Sequence, residues 1–199
     1  MRSFFLLSLV VWSMFLPGCD QATEVNPSFY HWKSSFKLDS TSRNALSDLE
    51  VKRLYLRFFD IDLAPGGQNV RPVAKVQFAD PPQLSQEIVP CVFITNRSLK
   101  ALPMEDMEGL AQNIYTQIQL IQEKNQLMAP GEIQIDCDWT PSTQEKYFSL
   151  LAHIKSLCSQ ANIQLSCTIR LHQYKYPEQT GVPEVDRGML MVYNVGDLD

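Results

Sequence analysis

Residues 132–139, EIQIDCDW, decide the fold, because polar and apolar side chains alternate along them. In an extended strand the isoleucines and the cysteine lie on one face, while the glutamine and the aspartates lie on the other. Residues 163–172, IQLSCTIRLH, repeat this alternation. A parallel strand covered by helices on both faces would be apolar throughout. We therefore expect one face of these strands to contact helices and the other to line a polar space.

Working outward, the sequence predicts strands that alternate with helices. The predicted strands are 29–32, 51–59, 87–95, 132–139, 163–172 and 189–194. The predicted helices are 39–49, 103–123 and 141–161. Residues 60–86 contain several prolines and glycines, which indicates an irregular excursion with an extra strand at 73–78, and 174–186 is expected to form a loop. This order implies right-handed βαβ units and a parallel sheet.

Two parallel architectures compete, an open doubly wound sheet and a closed (β/α)8 barrel. The polar face of the strands favours the barrel, whose active sites lie where the strands end. A whole barrel usually takes about 250 residues, whereas this chain has 199 residues. The predicted fold class is therefore α/β, a (β/α)8 TIM-like barrel that is incomplete, with about six strands. We expect an N-terminal portion of a longer protein or a truncated reading frame, ahead of an intact six-strand variant.

The first 28 residues indicate export and lipid attachment. Arg2 precedes an apolar run that ends in Leu-Pro-Gly-Cys, the pattern of a bacterial lipobox. We predict a lipoprotein signal peptide at 1–18, a lipidated tether at 19–28 that begins with Cys19, and a partial barrel domain at 29–199. The predicted partner of Cys19 is membrane lipid, and the location is the periplasmic or surface face of the cell envelope. The alternative is an ordinary signal peptide in which Cys19 is incidental.

Composition excludes some classes of partner and cofactor. The chain has 17 basic and 22 acidic residues, a net charge of −5, and no cluster of lysine and arginine, so no nucleic acid partner is expected. It has no Gly-rich phosphate loop, nucleophile elbow or dinucleotide fingerprint, so no cofactor is predicted. The remaining cysteines lack C-x-x-C spacing and are expected to be buried thiols rather than disulfides. They are Cys91, Cys137, Cys158 and Cys167.

Polar and aromatic residues recur where the predicted strands end. They are His31, Trp32, Arg57, Asp60, Thr95, Asn96, Asp136, Asp138, Trp139, Arg170, His172, Gln173, Tyr193 and Asn194. In a barrel these positions converge on one mouth.

Asp136 and Asp138 are the predicted catalytic pair. Two residues apart on one strand, their Cβ atoms lie about 6.6–7 Å from each other. At that distance one carboxyl can keep its proton while the other stays charged, as acid/base hydrolysis requires. The predicted substrate-binding residues are His31, Trp32, Arg57, Asn96, Trp139, Arg170 and His172, with the two tryptophans stacking on sugar rings.

Two other roles for these residues stay open. Asp136, Asp138, Arg57 and Arg170 can instead form a salt-bridged plug that fills the barrel. A metal held by the histidines and aspartates is disfavoured, because no H-x-H or H-E-x-x-H spacing is present. No metal site is therefore predicted.

Six motifs together resemble an uncharacterised lipoprotein family of Bacteroidetes-type bacteria. They are FYHWKSSF, RLYLRFFDID, IVPCVFITN, IQIDCDWT, TIRLHQYKY and GVPEVDRGMLMVYN, which span residues 29–194. The resemblance implies a TIM-barrel fold similar to glycoside hydrolases, in proteins that continue beyond this chain, and it supplies no catalytic residues. The DxD strand is also similar to the D-x-D-x-E strand of chitinases, but Thr140 replaces the catalytic Glu, which counts against a chitinase mechanism.

Two functions of different class follow from these residues. The first is a membrane-anchored barrel that hydrolyses carbohydrate through Asp136 and Asp138. The alternative is a lipoprotein that binds glycans without catalysis, or a truncated fragment without function. Fold by itself supports neither chemistry.

Overall fold

A computed structural model describes residues 25–67, 69–79 and 84–193 of the protein. The predicted signal peptide and Cys19 lie outside these residues, as does most of the predicted tether. No helix within the described part of the chain combines the length and the apolar character that crossing a membrane requires.

The described chain alternates strands and helices, as the sequence predicts. The strands are β1 Ser28–His31, β2 Ser35–Phe36, β3 Arg53–Leu63, β4 Val70–Val73, β5 Gln77–Phe78, β6 Glu87–Ile94, β7 Glu132–Cys137, β8 Gln164–Arg170 and β9 Arg187–Met191. The helices are α1 Ser40–Asp48, α2 Asn96–Ala101, α3 Met107–Lys124, α4 Gln144–Gln160, α5 Leu171–Lys175 and α6 Pro177–Thr180, and a 3₁₀ turn at Met104–Asp106 precedes α3.

The order of the strands identifies the architecture. Six parallel strands pair in the order β1-β3-β6-β7-β8-β9, so each strand lies beside the strand that precedes it in the main sheet. A doubly wound sheet reverses its strand order at a switch point, whereas a barrel does not. The sheet is curled, with helices on its outer face. The predicted fold class, an incomplete TIM-like barrel, is confirmed.

The outer face of the sheet excludes water because the apolar side chains of each alternating strand pack on helices. Ile133 and Ile135 of β7 and Leu165 of β8 belong to the main core. Helix α3 contributes a buried stripe spaced by three and four residues, from Met107 to Ile121, and α4 contributes a second stripe that includes Tyr147. Burying large apolar side chains contributes about 1.5–3 kcal/mol each, so this layer stabilises the curled sheet.

A β-bulge in β3 changes which residues face inward. The pairing of β3 with β6 shifts register between Arg57 and Phe59, and both Phe58 and Phe59 are fully buried. The extra residue in the bulge moves Asp60 onto the face occupied by Arg57, which plain alternation would not do. Beyond the bulge β3 continues to Leu63 and pairs with the antiparallel β4. This hairpin takes the place of the first part of the predicted excursion. Of the strand predicted at 73–78, Val73 ends β4 and Gln77–Phe78 form β5, which pairs with β2.

An ion-pair network holds the inner face together near the strand beginnings. The Glu132 carboxylate is 1% exposed and accepts hydrogen bonds from Arg53 Nη1 at 3.4 Å and Tyr55 Oη at 3.2 Å. Arg187 of β9 donates to it from the opposite side, and Arg53 also donates to Glu87 at 2.8 Å. This network lies at the amino-terminal end of the strands and is separate from the plug of Asp136, Asp138, Arg57 and Arg170 that the sequence leaves open.

All four cysteines of the domain are free and buried, which confirms the prediction of thiols packed as apolar groups. Cys137 and Cys158 join the main core, whereas Cys91 packs on the inner face beside Tyr55. Burial raises the pKa of the Cys167 thiol to about 12. These thiols are therefore protonated and unreactive at neutral pH.

Removing both arginines that contact Glu132 should destabilise the folded protein. We expect the double variant Arg53→Gln/Arg187→Gln to lose about 3–5 kcal/mol of unfolding free energy, because it leaves a buried carboxylate without a cation. Adding Glu132→Gln should recover most of the loss in urea titrations monitored by circular dichroism. Glu123→Ala, on the exposed face of α3, is the control and should change stability by less than about 0.5 kcal/mol. A triple variant no more stable than the double variant would contradict this account.

Candidate functional site

The structure brings three of the predicted site residues together where β7 and β8 end. Asp136 is the penultimate residue of β7, Asp138 follows that strand, and Arg170 ends β8. Arg170 Nε donates to Asp138, and its Nη2 lies 3.4 Å from the Asp136 carboxylate. One guanidinium thus bridges both carboxylates of the predicted pair. We call Asp136, Asp138, Arg170, Thr168 and Tyr193 the edge cluster.

Asp136 occupies the deep part of the edge cluster. It is 4% exposed, and Thr168 Oγ1 donates to its Oδ1 at 2.5 Å. Burial raises the pKa of this carboxyl, an effect that the Thr168 hydrogen bond and the Arg170 charge oppose and that the charges of Asp138 and Asp60 reinforce. The net direction is upward, so the site favours the protonated form of Asp136 more than water does.

Asp138 occupies the outer part of the same cluster. Its side chain is 55% exposed, so it meets solvent while Arg170 holds it. The Tyr193 hydroxyl lies 2.5 Å from Arg170 Nη1, and the Arg170 guanidinium carbon lies 5.6 Å from the centre of the Tyr193 ring. The two carboxylates therefore differ in environment, one buried and one solvated, as the sequence hypothesis requires.

A second group of residues lies on the same inner face, at the end of β1 and in the middle of β3. Trp32 is 39% exposed, and its ring stacks on Tyr30 with 5.2 Å between the ring centres and 8° between the planes. Arg57 Nη1 donates to the Trp32 carbonyl at 3.2 Å, and Arg57 Nε donates to Asp60 at 2.6 Å. We call Trp32, Tyr30, Arg57 and Asp60 the tryptophan patch.

The tryptophan patch and the edge cluster belong to one continuous surface. Asp60 pairs across the sheet with Phe93, and Phe93 pairs with Asp136, so the two aspartates lie two strands apart at one level. That separation is about 10 Å along the sheet, from the usual spacing of strands. Asp60 is close enough for its charge to act on Asp136. An aromatic ring and two groups of paired charges therefore line the same edge of the sheet.

Trp139 does not belong to this surface, and its predicted contact with a sugar is wrong. Its ring is 3% exposed and stacks on Tyr147 of α4 at 5.1 Å. Its indole nitrogen donates to the Thr180 carbonyl at 2.9 Å, which ties the 171–186 excursion to the core. Because residue 139 continues the alternation of β7, it falls on the helix side of the sheet.

The two predicted histidines also lie away from the aspartates. His31 is on the outer face of β1, where its Nε2 is 3.0 Å from the Ser35 carbonyl and its ring meets Phe36 edge to face. Its predicted place at the mouth is therefore wrong. Strand β8 ends at Arg170 and α5 begins at once, so His172 is an exposed helical residue, and its contact with substrate stays a prediction.

Asn96 lies at the strand ends but is engaged with a neighbouring loop. Its carbonyl oxygen accepts a hydrogen bond from Thr143 at 2.6 Å, and its amide nitrogen lies 3.4 Å from Thr140 Oγ1. These bonds connect the end of β6 to the loop after β7. They support a role in positioning that loop rather than in binding a ligand. Among the residues described, no three His, Cys, Asp or Glu side chains are arranged to hold a metal ion.

Thr168 and Tyr30 take part in the site although sequence reasoning did not single them out. Thr168 follows from alternation, because it shares the inner face of β8 with Arg170. Tyr30 follows from the same rule on β1, where it shares a face with Trp32. Neither residue is charged, so a pattern of charged residues at strand ends does not identify them.

Comparison with known proteins identifies solved structures of similar shape. No protein-family model matches the sequence, and no curated protein matches it. Similar solved structures are the Bacillus cereus spore cortex-lytic enzyme SleL and two chitinases, from Chromobacterium violaceum ATCC 12472 and from Bacteroides thetaiotaomicron. Their identities to this chain are 19%, 10% and 13%, and the TM-scores are 0.48, 0.45 and 0.44.

These alignments cover 86%, 87% and 87% of this chain but 42%, 57% and 55% of the solved structures. The chain thus spans about half the length of the solved structures that it resembles. Membership of the lipoprotein family stays a prediction.

The raised pKa of Asp136 predicts a specific dependence of stability on pH. Because the folded protein binds this proton more tightly than the unfolded chain does, Asp136 makes unfolding easier as pH rises through the interval between the two pKa values. Asp136→Asn lacks this effect, so its stability relative to the wild type should rise with pH. Urea titrations at several values between about pH 4 and pH 8 would measure the trend.

Asp48→Asn, an exposed residue at the end of α1, controls for the loss of one negative charge. An Asp136→Asn variant that loses stability relative to the wild type as pH rises would show that Asp136 is held as a favourable ion pair instead.

Proposed function

We propose that the surface formed by the tryptophan patch and the edge cluster binds carbohydrate. The observation that carries this proposal is the exposed Trp32 ring, held flat by its stack on Tyr30 beside the Arg57–Asp60 pair. A fixed aromatic face is suited to the apolar face of a sugar ring, and charged pairs next to it supply donors and acceptors for hydroxyl groups.

The pairing of charges supports a neutral, hydroxyl-rich ligand. Asp60 is held by Arg57, and Asp136 and Asp138 are both held by Arg170. Asp62, farther along β3, is held by Arg97. Paired charges do not present a strong field of one sign, which an ionic ligand would need. They do retain free lone pairs and N–H groups for hydrogen bonds.

Acid/base hydrolysis of a carbohydrate is the second candidate. It is supported by the contrast between buried Asp136, whose pKa is raised, and solvated Asp138 two residues later. Two features weigh against it. Arg170 holds both carboxylates, and Thr140 stands where a D-x-D-x-E strand would carry its acid. We therefore place binding first and turnover second.

The test of binding compares the two tryptophans. Isothermal titration of the full chain against neutral cello-, xylo-, malto- and chito-oligosaccharides should detect at least one ligand. Trp32→Ala should weaken that ligand about tenfold, because an aromatic contact is lost. Trp139→Phe is the matched control and should leave affinity unchanged, because that ring is buried. Equal losses in both variants would contradict the assignment of Trp32.

The same oligosaccharides distinguish a binding protein from an enzyme. If the chain releases reducing sugars and Asp138→Asn abolishes release while keeping affinity, hydrolysis is the function. If the ligand binds but no release occurs, the protein is a glycan-binding module. If no member of the panel is bound or hydrolysed, the proposal is overturned. The interpretation as a fragment without function then remains.

We also propose that the protein is anchored in the cell envelope through Cys19, which rests on the sequence pattern at residues 1–19. Metabolic labelling with an alkyne fatty acid should mark the wild-type protein, and the label should partition with membranes. Cys19→Ser should abolish labelling, while Cys91→Ser should not, because Cys91 is buried in the domain. A labelled Cys19→Ser variant would rule out lipidation at this residue.

A further inference from the structure

Asp138 and Arg170 meet beyond the point where their two strands pair with each other. Backbone pairing between β7 and β8 extends to Ile135 and Cys167. Farther along, β7 stays paired with β6 as far as Cys137, and β8 stays paired with β9 to its last residue. Within the described chain the ends of β7 and β8 are therefore joined through side chains. The geometry of the edge cluster depends on the side chains that hold these two ends.

The side chain of Gln173 connects the two strand ends. Gln173 belongs to α5, which begins directly after β8, and it is 2% exposed. Its Oε1 accepts a hydrogen bond from the Arg170 backbone N–H at 2.8 Å, and its Nε2 donates to the Trp139 carbonyl at 3.4 Å. Trp139 directly follows Asp138 in the chain. One buried amide thus spans from the backbone of Arg170 to the backbone next to Asp138.

The segment that carries Gln173 is itself fixed. Thr180 Oγ1 donates to the Gln173 carbonyl at 3.0 Å, and the Thr180 carbonyl accepts a hydrogen bond from the Trp139 indole at 2.9 Å. The next residue, Gly181, has φ +69°, and a Cβ there would lie 2.4 Å from the nearest side-chain atom of α4. Only glycine combines this backbone conformation with so close an approach. Helix α5 is therefore held in the position from which Gln173 reaches across.

The chemistry of Gln173 goes beyond filling space. A buried amide is unfavourable unless its donor and acceptor both find partners, so an apolar residue would fill the same volume at a lower free-energy cost. The two groups that Gln173 does bond belong to Arg170 and to the residue after Asp138. These are the two partners of the ion pair at the surface of the edge cluster.

We infer that Gln173 is the positioning residue of the edge cluster: it ties the Arg170 backbone to the backbone after Asp138 and so keeps the Arg170 guanidinium across both aspartates. The inference rests on the carbohydrate site proposed above, to which it adds a residue that touches no ligand.

The protonation of Asp136 reports whether Arg170 stays in place. The charges that act on this carboxyl are those of Arg170, which lowers its pKa, and of Asp138 and Asp60, which raise it. If the guanidinium moves away, the pKa of Asp136 rises further. A loss of stability that leaves the edge cluster intact does not change this pKa.

Carbon-13 NMR titration of the full chain measures this pKa, and Asp136→Asn identifies the resonance. Gln173→Met nearly keeps the volume of the side chain and loses both hydrogen bonds. In this variant Asp136 should titrate at higher pH than in the wild type. The oligosaccharide that the wild type binds should bind about threefold more weakly. Unchanged titration of Asp136 in a folded Gln173→Met variant would overturn the inference.

Thr180→Val is the matched control, because it removes a hydrogen bond to α5 and leaves the Gln173 side chain in place. It should lower the free energy of unfolding in urea titrations without changing the titration of Asp136. An equal shift of the Asp136 pKa in Thr180→Val and Gln173→Met would show that any loosening of this segment has the same effect. The specific role of Gln173 would then be wrong.

A double variant shows whether Gln173 acts through Arg170. Arg170→Gln by itself should raise the pKa of Asp136, and adding Gln173→Met should change it little further. Additive shifts would contradict an effect transmitted by Arg170. If Gln173→Met does not fold, Gln173→Asn replaces it, because asparagine is polar but one methylene too short to reach both partners. Failure of both variants to fold would make Gln173 a structural residue and would also overturn the inference.

The NMR titration needs no ligand, so it separates this inference from the proposed function. A raised Asp136 pKa in Gln173→Met supports the positioning role even if no oligosaccharide binds, in which case only the carbohydrate proposal fails. A bound oligosaccharide whose affinity is the same in Gln173→Met, together with an unchanged pKa of Asp136, would overturn the positioning role alone.

Discussion

Each carboxylate described on the inner face of this sheet lies against an arginine. Glu132 is held by Arg53 and Arg187, Asp60 by Arg57, and Asp136 and Asp138 by Arg170. A buried carboxylate without a cation costs several kcal/mol, so these pairs are what allows a polar face to exist inside a curled sheet. The helix layer on the outer face stabilises the fold by burying apolar side chains. The arginines offset the free-energy cost of placing carboxylates on the inner face.

This arrangement gives the inner face two chemically different ends. At the strand beginnings Glu132 is buried, and Arg53 and Arg187 both donate hydrogen bonds to it. At the strand ends Arg170 neutralises both aspartates, and an exposed tryptophan ring lies nearby. The charges at the strand beginnings therefore stabilise the sheet, whereas the exposed ring at the strand ends is suited to a neutral ligand with many hydroxyl groups.

The bulge in β3 connects the fold to the candidate site. By inserting one residue between Arg57 and Phe59, it places Asp60 on the inner face and sends two phenylalanines to the core. Asp60 then lies level with Asp136 across the sheet, where its charge adds to the effect of burial in raising the pKa of Asp136. Without the bulge the surface would lose the acid that fixes Arg57 beside Trp32. A local irregularity of the backbone thus determines the composition of the site.

The sequence by itself determined the fold class, because alternation on the strands at 132–139 and 163–172 requires one dry face and one polar face. It also located Asp136, Asp138 and Arg170 on the polar face, since a period of two fixes the side of a strand on which each residue lies. Only the tertiary structure decided which residues those carboxylates meet. Arg170 came to bridge Asp136 and Asp138, and Asp60 was brought inward by the bulge, because pairing between strands and the curl of the sheet depend on contacts between residues far apart in the chain.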